Sequence, residues 1–522
     1  MPSEQRLHPA TLLFDLAKHV KNFAVPAVLV IFGASRSTGG PGGMMGNMPD
    51  GWEAWLLVLF VPAALASIAR YVSFRLRYDG DELVIRSGLI FRHERHVPFS
   101  RIQNVDAIQN VFHRLFGVVE VRVETGGGKE EEARLSVLPR AAFDDMRQRV
   151  FRERARIAED LEHAEETTTP APVQGETLVH LSLSELLLCG FLENKGMVLI
   201  GAGYGLMWET GVLGQLRDTA LGSLFRGNNS VGRGFFRDLV RSFFDGGPLP
   251  INRLGIALVG IAALLLLVRL VSMIWAFVRL YDFRLTRVGE DLRSEYGLFT
   301  RVTATVPIRR VQAITINAGP LHRLLKRATV RVATAGGAGT QSASHVRDLL
   351  APLIQQDALP HLFLHLVPGF DLATVTWQPL HPRDFARAVK PSLILSVAIT
   401  LIASFAIGWG AVGVLIVMLL WSIVSTRQYV AHLRWADGDE VVMMRSGWIW
   451  QKTTLARVNK IQAVAMYQSP FDRRAAMARV RVDTAVAGEF SHRVDIPYLD
   501  HKVASGLAER LSASAANTAF RW

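Results

Sequence analysis

Arginine recurs in this sequence in a pattern suited to binding an anion. One set follows a glutamine by 11 residues in three similar stretches, and a second set lies on a strand-like run just after each stretch. The six positions are Arg114, Arg323, Arg473, Arg122, Arg331 and Arg481. A guanidinium group binds phosphate or carboxylate oxygens through paired hydrogen bonds. Near an anionic membrane surface each basic group contributes about 1 kcal/mol. These arginines are therefore candidate contacts for anionic phospholipid or for an acidic partner protein.

A structural interpretation of the same arginines competes with this one, and we favour it. The side chains would lie on a solvated outer face, or they would pair with Glu120, Glu124 or Asp483 of the chain itself. Exposed ion pairs of this kind contribute only about 0–1 kcal/mol.

A seventh arginine, Arg269, interrupts a long apolar run. The repeat in the sequence places Arg70 and Arg279 at the same membrane edge, and Arg269 lies ten residues further in. This is about 15 Å at helical rise, close to the middle of a bilayer. An arginine at that depth is costly and is a candidate functional residue. Its expected partner is Glu193, Glu209 or an acidic residue of another protein; the alternative is a side chain that snorkels to the membrane surface.

No set of side chains suited to catalysis stands out. The segments "HLFLH" (361–365) and "HERH" (93–96) hold histidine pairs, but neither has a third metal ligand nearby in the sequence. The glycine-rich "GAGYG" (201–205) lies in an apolar run, where small residues favour helix packing. Cys189 also lies in an apolar run, which predicts a buried, inert thiol. We therefore expect a protein that is not an enzyme and holds neither a metal nor a cofactor.

Three polar segments position the repeated arginines, and they align without gaps. In each segment a glycine lies 15 residues before the glutamine, and a threonine lies 22 residues after it. The run before each threonine alternates with period two, which predicts a half-buried strand. The aligned positions are Gly88, Gln103 and Thr125; Gly297, Gln312 and Thr334; Gly447, Gln462 and Thr484. Such recurrence indicates one fold used three times.

Each polar segment is expected to hold several short strands, a short helical turn around its first arginine, and an amphipathic closing helix. Gly117 is placed to end the turn, but Lys326 and Ala476 replace it in the other copies, so a glycine there is not obligatory. Pro139 and Pro497 are expected to open the closing helix in the first and third copies, a proline that the second copy lacks. The predicted inner faces are Phe143, Met146 and Val150; Leu349, Leu350 and Leu353; Val503, Leu507 and Leu511.

The rest of the chain contains apolar stretches that could cross a membrane, which requires about 20 residues. Two short stretches lie at 23–34 and 196–208, and two clear ones at 52–72 and 254–278. A fifth and a sixth form a hairpin at 392–424 that turns near residues 408–410. The fold class is therefore an α+β membrane protein, with three repeats of a transmembrane helical hairpin followed by a small β-barrel or sandwich with a C-terminal helix.

Composition and charge agree with a multi-pass membrane protein. Half of the 522 residues are hydrophobic, the formal net charge is +12, and Cys189 is the single cysteine. One cysteine forms no intrachain disulfide and fits a reducing compartment. Lysine and arginine flank the first and last span pairs on one side, which predicts cytoplasmic termini and cytoplasmic polar segments. These basic residues set topology, so no nucleic-acid partner is expected.

The repeated segments resemble the bacterial pleckstrin-homology (PH) domain of membrane proteins of the YdbS/YdbT type. The resemblance rests on "SGLIFRHERHVPFSRIQNVDAIQNVFHRLFG", "SEYGLFTRVTATVPIRRVQAITI" and "RSGWIWQKTTLARVNKIQAV", and on the span pair before each. It implies a PH-like fold, with two near-orthogonal antiparallel sheets and a C-terminal helix, in a bacterial inner membrane. It implies little about activity.

These observations give a domain plan. Its parts are a hairpin at 1–73, a PH-like domain at 74–160, a linker at 161–177, a hairpin with an extracytoplasmic loop at 178–280, a PH-like domain at 281–360, a linker at 361–381, a hairpin at 382–428 and a PH-like domain at 429–522.

The leading functional hypothesis is a binding protein of the bacterial inner membrane. Its PH-like domains would bind protein partners or anchor an assembly, and the expected partner is a smaller membrane protein of the same family. The alternatives are a transporter or export component, suggested by Arg269, and a sensor of anionic lipid.

Overall fold

The chain was analysed as a computed structural model that describes residues 5–17, 61–125, 133–150, 175–193, 195–209, 251–334, 349–407, 410–484 and 493–517, apart from 62–63, 66 and 90. The predicted span at 23–34, most of the predicted span at 52–72 and most of the predicted loop at 211–253 lie outside these residues.

The described part of the chain is a mixture of helices and four antiparallel sheets. The first sheet has the order β1 (Gln5–Arg6), β2 (Arg75–Asp79), β3 (Glu82–Ser87), β4 (His93–Pro98). The second has the order β7 (Ala133–Pro139), β6 (Val118–Thr125), β5 (Ile102–Gln109), β11 (Arg301–Pro307), β10 (Asp291–Tyr296), β9 (Arg284–Val288), β8 (Glu176–His180).

The third sheet has the order β14 (Leu349–Gln355), β13 (Arg327–Thr334), β12 (Val311–Ala318), β17 (Gln451–Arg457), β16 (Val441–Ser446), β15 (Arg434–Asp437). The fourth has the order β18 (Ile461–Tyr467), β19 (Met477–Thr484), β20 (Val494–Asp500). The second and third sheets are each shared between two sequence repeats, which the repeat pattern alone did not predict.

The alternating runs form strands, as the sequence predicted. Val119, Val121 and Val123 of β6 are buried on one face, and they pack with Phe143 and Met146 of the helical segment at 140–150. The apolar face of this strand is removed from water, so the period-two pattern builds the core of the first repeat.

Apart from helical residues at 10–17 and 67–73, the α-helices of the described chain fall into three groups. The long apolar ones are Leu183–Leu192, Lys195–Glu209, Ile251–Leu280, Asp384–Ile407 and Ala411–Ala431. The short ones, here called the repeat helices, are Val111–Leu115, Pro320–Leu324 and Pro470–Arg474. The closing ones are the segment at 140–150, Leu359–Leu366 and His501–Asn517.

Among the described residues, three helices are long and apolar enough to cross a membrane. They are Leu258–Leu280, Asp384–Ile402 and Ala411–Ala431. A bent pair, Leu183–Leu192 with Lys195–Met207 at an angle of 65°, gives a fourth candidate if it counts as one span. The last two helices form the predicted hairpin, and they share a buried hydrogen bond of 2.7 Å between the hydroxyls of Ser396 and Ser422. The chain is thus a membrane protein.

Two predictions about the closing elements are wrong. Leu349, Leu350 and Leu353 lie on strand β14, not on a helix, because this strand is buried on both faces and therefore lacks alternation. The second closing helix is Leu359–Leu366 instead. In the third, Val503 is exposed and Ala504 takes its place beside Leu507 and Leu511 in the core.

The comparison of the prolines also needs correction. Pro139 is the last residue of β7, directly before the closing helix, whereas Pro497 lies inside β20. The counterpart of Pro497 is Pro352, inside β14 of the second repeat. The second repeat therefore keeps a proline within its last strand.

Among the described residues, the glycines that allow close helix packing are not those of "GAGYG". Apart from neighbouring residues of its own helix, no described atom lies within 4 Å of a Cβ added at Gly201, Gly203 or Gly205. A Cβ at Gly196 would lie 2.1 Å from the carbonyl oxygen of Val268, and one at Gly190 would lie 2.5 Å from the Cα of Met273. Helix contact in the bent pair thus depends on Gly190 and Gly196.

Candidate protein-interaction site

The repeat helices hold the first arginine set in a fixed geometry. Asn110 and Ser469 begin the first and third helices by accepting backbone hydrogen bonds from His113 (2.7 Å) and Asp472 (3.1 Å). Each helix is then followed by a residue in the left-handed conformation, with φ of +65° at Gly117, +51° at Lys326 and +54° at Ala476. The glycine varies, as the sequence showed, but the conformation is kept in all three copies.

Two arginines of the first set join one repeat to the next. Arg114 Nη1 donates to the carbonyl oxygen of Leu298 at 3.0 Å, and Arg323 Nη1 donates to that of Trp448 at 2.7 Å. Both carbonyls directly follow a glycine with positive φ, Gly297 in one case and Gly447 in the other. The same donor and the same acceptor are thus used at two places in the chain.

Backbone pairing accompanies each arginine contact. At the first junction β5 pairs with β11, with Gln109 opposite Arg301 and Ile108 opposite Val302. At the second junction β12 pairs with β17, with Ala318 opposite Gln451 and Asn317 opposite Lys452. Counted from the repeat glutamines and glycines, the two registers are identical.

These junctions define two complementary surfaces on a repeat. The arginine edge is the repeat helix with its first-set arginine, together with the strand before it (β5, β12 or β18). The carbonyl edge is the turn after the repeat glycine, together with the strand after it (β4, β11 or β17). Within the described chain, the arginine edges of the first two repeats bind the carbonyl edges of the next.

The arginine edge of the third repeat has no such occupant among the described residues. Arg473 is exposed and its side chain makes no hydrogen bond or ion pair within that part of the chain. β18 pairs with β19 alone, and Met466 and Tyr467 are 41% and 49% exposed, whereas Ile316 in the equivalent strand β12 is 9% exposed. An exposed apolar edge strand readily pairs with another chain.

The carbonyl edge of the first repeat is also open in the described structure. Gly88 has φ of +97°, and Leu89, the counterpart of Leu298 and Trp448, is 59% exposed. β4 pairs with β3 alone. An open groove of about 570 Å³ lies beside this turn, lined by Val72, Arg75, Arg86, Leu89, Arg92 and His93 among others.

An ion pair fixes the third repeat helix to the adjacent apolar helix. Arg387 Nε donates to the Asp472 carboxylate at 2.6 Å, and its guanidinium lies 5.6 Å from the ring centre of Phe471. Burial raises the pKa of Asp472, but hydrogen bonds from Ser469 and Arg387 outweigh this effect, so the pKa lies below its usual value. Arg387 was not among the candidate interaction residues predicted from the sequence. The capping pattern Ser469-Pro-x-Asp472 was the available signal.

The second arginine set has mixed surroundings. Arg122 lies 3.6 Å from Glu120, one of the partners expected from the sequence. Arg481 pairs with Asp495 at 3.4 Å instead of with Asp483, which pairs with Arg493 at 3.0 Å. Arg331 is exposed and unpaired within the described residues. The set does not converge on one site.

Arg269 contacts the break between the two bent helices. Its Nη1 donates to the backbone carbonyls of Phe191 at 2.6 Å and Glu193 at 3.5 Å, and its guanidinium lies 5.2 Å from the Phe191 ring centre. The expected partner Glu193 is thus reached through its backbone, because its carboxylate pairs with Lys195 at 2.7 Å. Arg269 thus donates hydrogen bonds to backbone carbonyls that have no partner within the helix because they lie at its end.

A third polar residue does lie near the histidines of "HLFLH". Ligand atoms of Glu176, His361 and His365 all lie within 4.8 Å of one another. The sequence gave no sign of this, because Glu176 is far away in the chain. His365 Nδ1 accepts from Arg287 Nη1 at 3.0 Å, so a cation already occupies one side of the cluster. This neighbouring positive charge favours a hydrogen-bonding role over metal binding.

The bacterial PH domain family matches residues 21–154, 248–357 and 389–515, which is more than half of the chain. The chain therefore belongs to the bacterial PH domain family, with three copies of the domain.

A curated relative agrees with this assignment. The chain is 24% identical over 496 residues to the UPF0699 transmembrane protein YdbT of Bacillus subtilis (strain 168), which covers 91% of this chain and 92% of that protein. No solved structure matches the chain.

Proposed function

We propose that this chain is a non-enzymatic binding protein of the bacterial inner membrane. It consists of three units, each a membrane hairpin followed by a cytoplasmic PH-like domain, and both termini are cytoplasmic. Its activity is to hold a protein partner at the membrane. Family membership and the apolar helices support the anchoring part of this proposal.

One observation carries the binding part. PH-like repeats bind one another twice inside the described chain, each time through an arginine edge and a carbonyl edge. The third arginine edge has the same parts and no occupant within the described residues. A surface that already binds a PH-like domain at two places is suited to bind another, so the partner is a membrane protein that carries such a domain. A smaller protein of the same family is one source of that domain, and a second copy of this chain is the other.

Affinity purification tests this proposal. The full chain, tagged and released from its native membrane in mild detergent, should retain a stoichiometric companion with a PH-like domain. Arg473→Ala should reduce that companion several-fold, because the edge loses its charged donor. Arg474→Ala is the matched control, since Arg474 is the next residue and is also exposed. Absence of any stoichiometric companion of the wild-type chain would contradict the proposal.

A further inference from the structure

Within the part of the chain that the structure describes, two unlike surfaces are open at the two ends of the row of repeats. The third repeat has an open arginine edge, formed by β18 and Arg473, and the first has an open carbonyl edge, formed by β4 and the turn at Gly88. Each is the surface that its equivalents in the described chain use for binding. We propose that the arginine edge of one copy of this chain binds the carbonyl edge of a second copy. This rests on the proposed function and names its partner.

The carbonyl edge of the first repeat already has the form that the other two have when bound. A Cβ added at Gly88, Gly297 or Gly447 would lie 1.9–2.0 Å from the carbonyl oxygen three residues further on. All three turns therefore depend on glycine and have one shape. The Leu89 carbonyl follows Gly88 as the Leu298 and Trp448 carbonyls follow their glycines, so it is the acceptor for Arg473 of the other copy.

The membrane brings the two edges to the same height. The third repeat helix, which carries the arginine edge, is attached to the apolar helix Asp384–Ile407, because Arg387 Nε donates to the Asp472 carboxylate at 2.6 Å. The turn of the first repeat is attached in a similar way, since the Gly88 amide donates to the hydroxyl of Ser73 at 3.3 Å. Two chains anchored in one membrane thus present their edges in one plane, which reduces the orientational cost of association.

The charges on β4 favour this pairing over the pairing of two β4 strands. His93, Glu94, Arg95 and His96 are all exposed on that strand. Charged residues on an edge strand oppose unspecific pairing with a like edge. β18, by contrast, carries apolar residues and no charge. The contact is therefore between unlike surfaces, and its repetition gives a closed ring or a row of chains.

The two internal junctions fix the register of the contact. Ala318 lies opposite Gln451, and their counterparts are Gln468 and Arg92. Moving three residues along each antiparallel strand from this pair places Ala465 of one copy opposite Arg95 of the other. Opposite residues of an antiparallel pair have Cα atoms about 4.5–5.5 Å apart, which lies within the range of about 4.4–6.8 Å that a disulfide spans.

Cysteine cross-linking between two differently tagged full-length chains tests the inference in native membranes. One chain carries Ala465→Cys and the other Arg95→Cys; the native thiol of Cys189 is buried and does not interfere. We expect a disulfide-linked dimer upon oxidation. In the matched control His93→Cys replaces Arg95→Cys, two residues or about 6.7 Å along the strand. This control should give several-fold less dimer. Adding Arg473→Ala should reduce the matched dimer several-fold, whereas Arg474→Ala should not.

The outcomes separate the inference from the proposed function. No dimer above the control, together with an Arg473-dependent companion of another sequence, overturns the second copy as partner and leaves the proposed function standing. Neither dimer nor companion overturns both. A dimer that forms equally well with Arg473→Ala overturns the role of the arginine edge.

Discussion

At the scale of single residues, the repeat helices keep one backbone conformation at their end even where the glycine that favours it is replaced. Lys326 and Ala476 occupy the left-handed position that Gly117 occupies in the first repeat. Adopting this conformation costs a residue with a Cβ roughly 1–2 kcal/mol of free energy. The structure keeps it because it ends the helix that carries the binding arginine.

Replacing these two residues by glycine should therefore stabilise the chain. Lys326→Gly or Ala476→Gly relieves the left-handed strain, and the greater freedom of glycine in the unfolded chain offsets part of the gain, leaving about 0.5–1 kcal/mol. Thermal unfolding of the detergent-solubilised chain would measure the gain. Ala475→Gly is the control, because Ala475 has φ of −98° and should give no gain. An equal effect of Ala475→Gly and Ala476→Gly would contradict the explanation.

A second residue-scale prediction concerns pH. Hydrogen bonds from Ser469 and Arg387 hold the pKa of Asp472 below its usual value. A carboxyl group with a lowered folded pKa contributes stability above its unfolded pKa, about 3.9, and loses it as pH falls through the folded value. The difference in unfolding temperature between wild type and Asp472→Asn should thus be constant from about pH 7 to 5 and shrink below about pH 4. A difference that stays the same at pH 3 would show that the ionised carboxylate contributes nothing.

At the scale of helices and strands, the sequence was informative wherever a face was half-buried. The alternation at Val119, Val121 and Val123 correctly predicted a strand. The continuous apolar run around Leu350 was misassigned, because burial on both faces removes the alternation that identifies a strand. Pairing of β5 with β11 was not predictable either. Edge strands pair through backbone groups, which leave little trace in side-chain type.

The contact of Arg269 with the helix break belongs to this scale and predicts an effect on Cys189. Removing a hydrogen bond from a charged group costs about 1.5–3 kcal/mol, which corresponds to roughly a tenfold or greater rise in local opening. Arg269→Leu should therefore speed maleimide labelling of the buried Cys189 thiol, the only one in the chain, by about tenfold.

A lipid-facing substitution provides the control for that experiment. Leu266 lies on the same helix and is largely exposed, so Leu266→Ala should leave labelling unchanged. Wild-type labelling rates in Arg269→Leu would mean that the arginine snorkels instead of supporting the helix break.

At the scale of the whole molecule, the three repeats form a row with two internal junctions and two different open ends in the described structure. The resemblance seen in the sequence predicted the repeated domain but not the row. The register between repeats depends on contacts between distant residues, 184 apart for Arg114 with Leu298 and 125 apart for Arg323 with Trp448. At this scale the first arginine set has a common role: two members join repeats of the chain, and we propose that the third, which has no occupant among the described residues, binds a partner.

We propose that the arginine edge of the third repeat binds a PH-like domain outside its own chain. Native mass spectrometry of the full chain, released from its own membrane in mild detergent, tests this directly. We predict a species heavier than one chain for wild type and for Arg474→Ala, and a several-fold smaller share of that species for Arg473→Ala. A wild-type spectrum with only the single-chain mass, or a heavy species equally abundant in Arg473→Ala, would contradict the proposed binding.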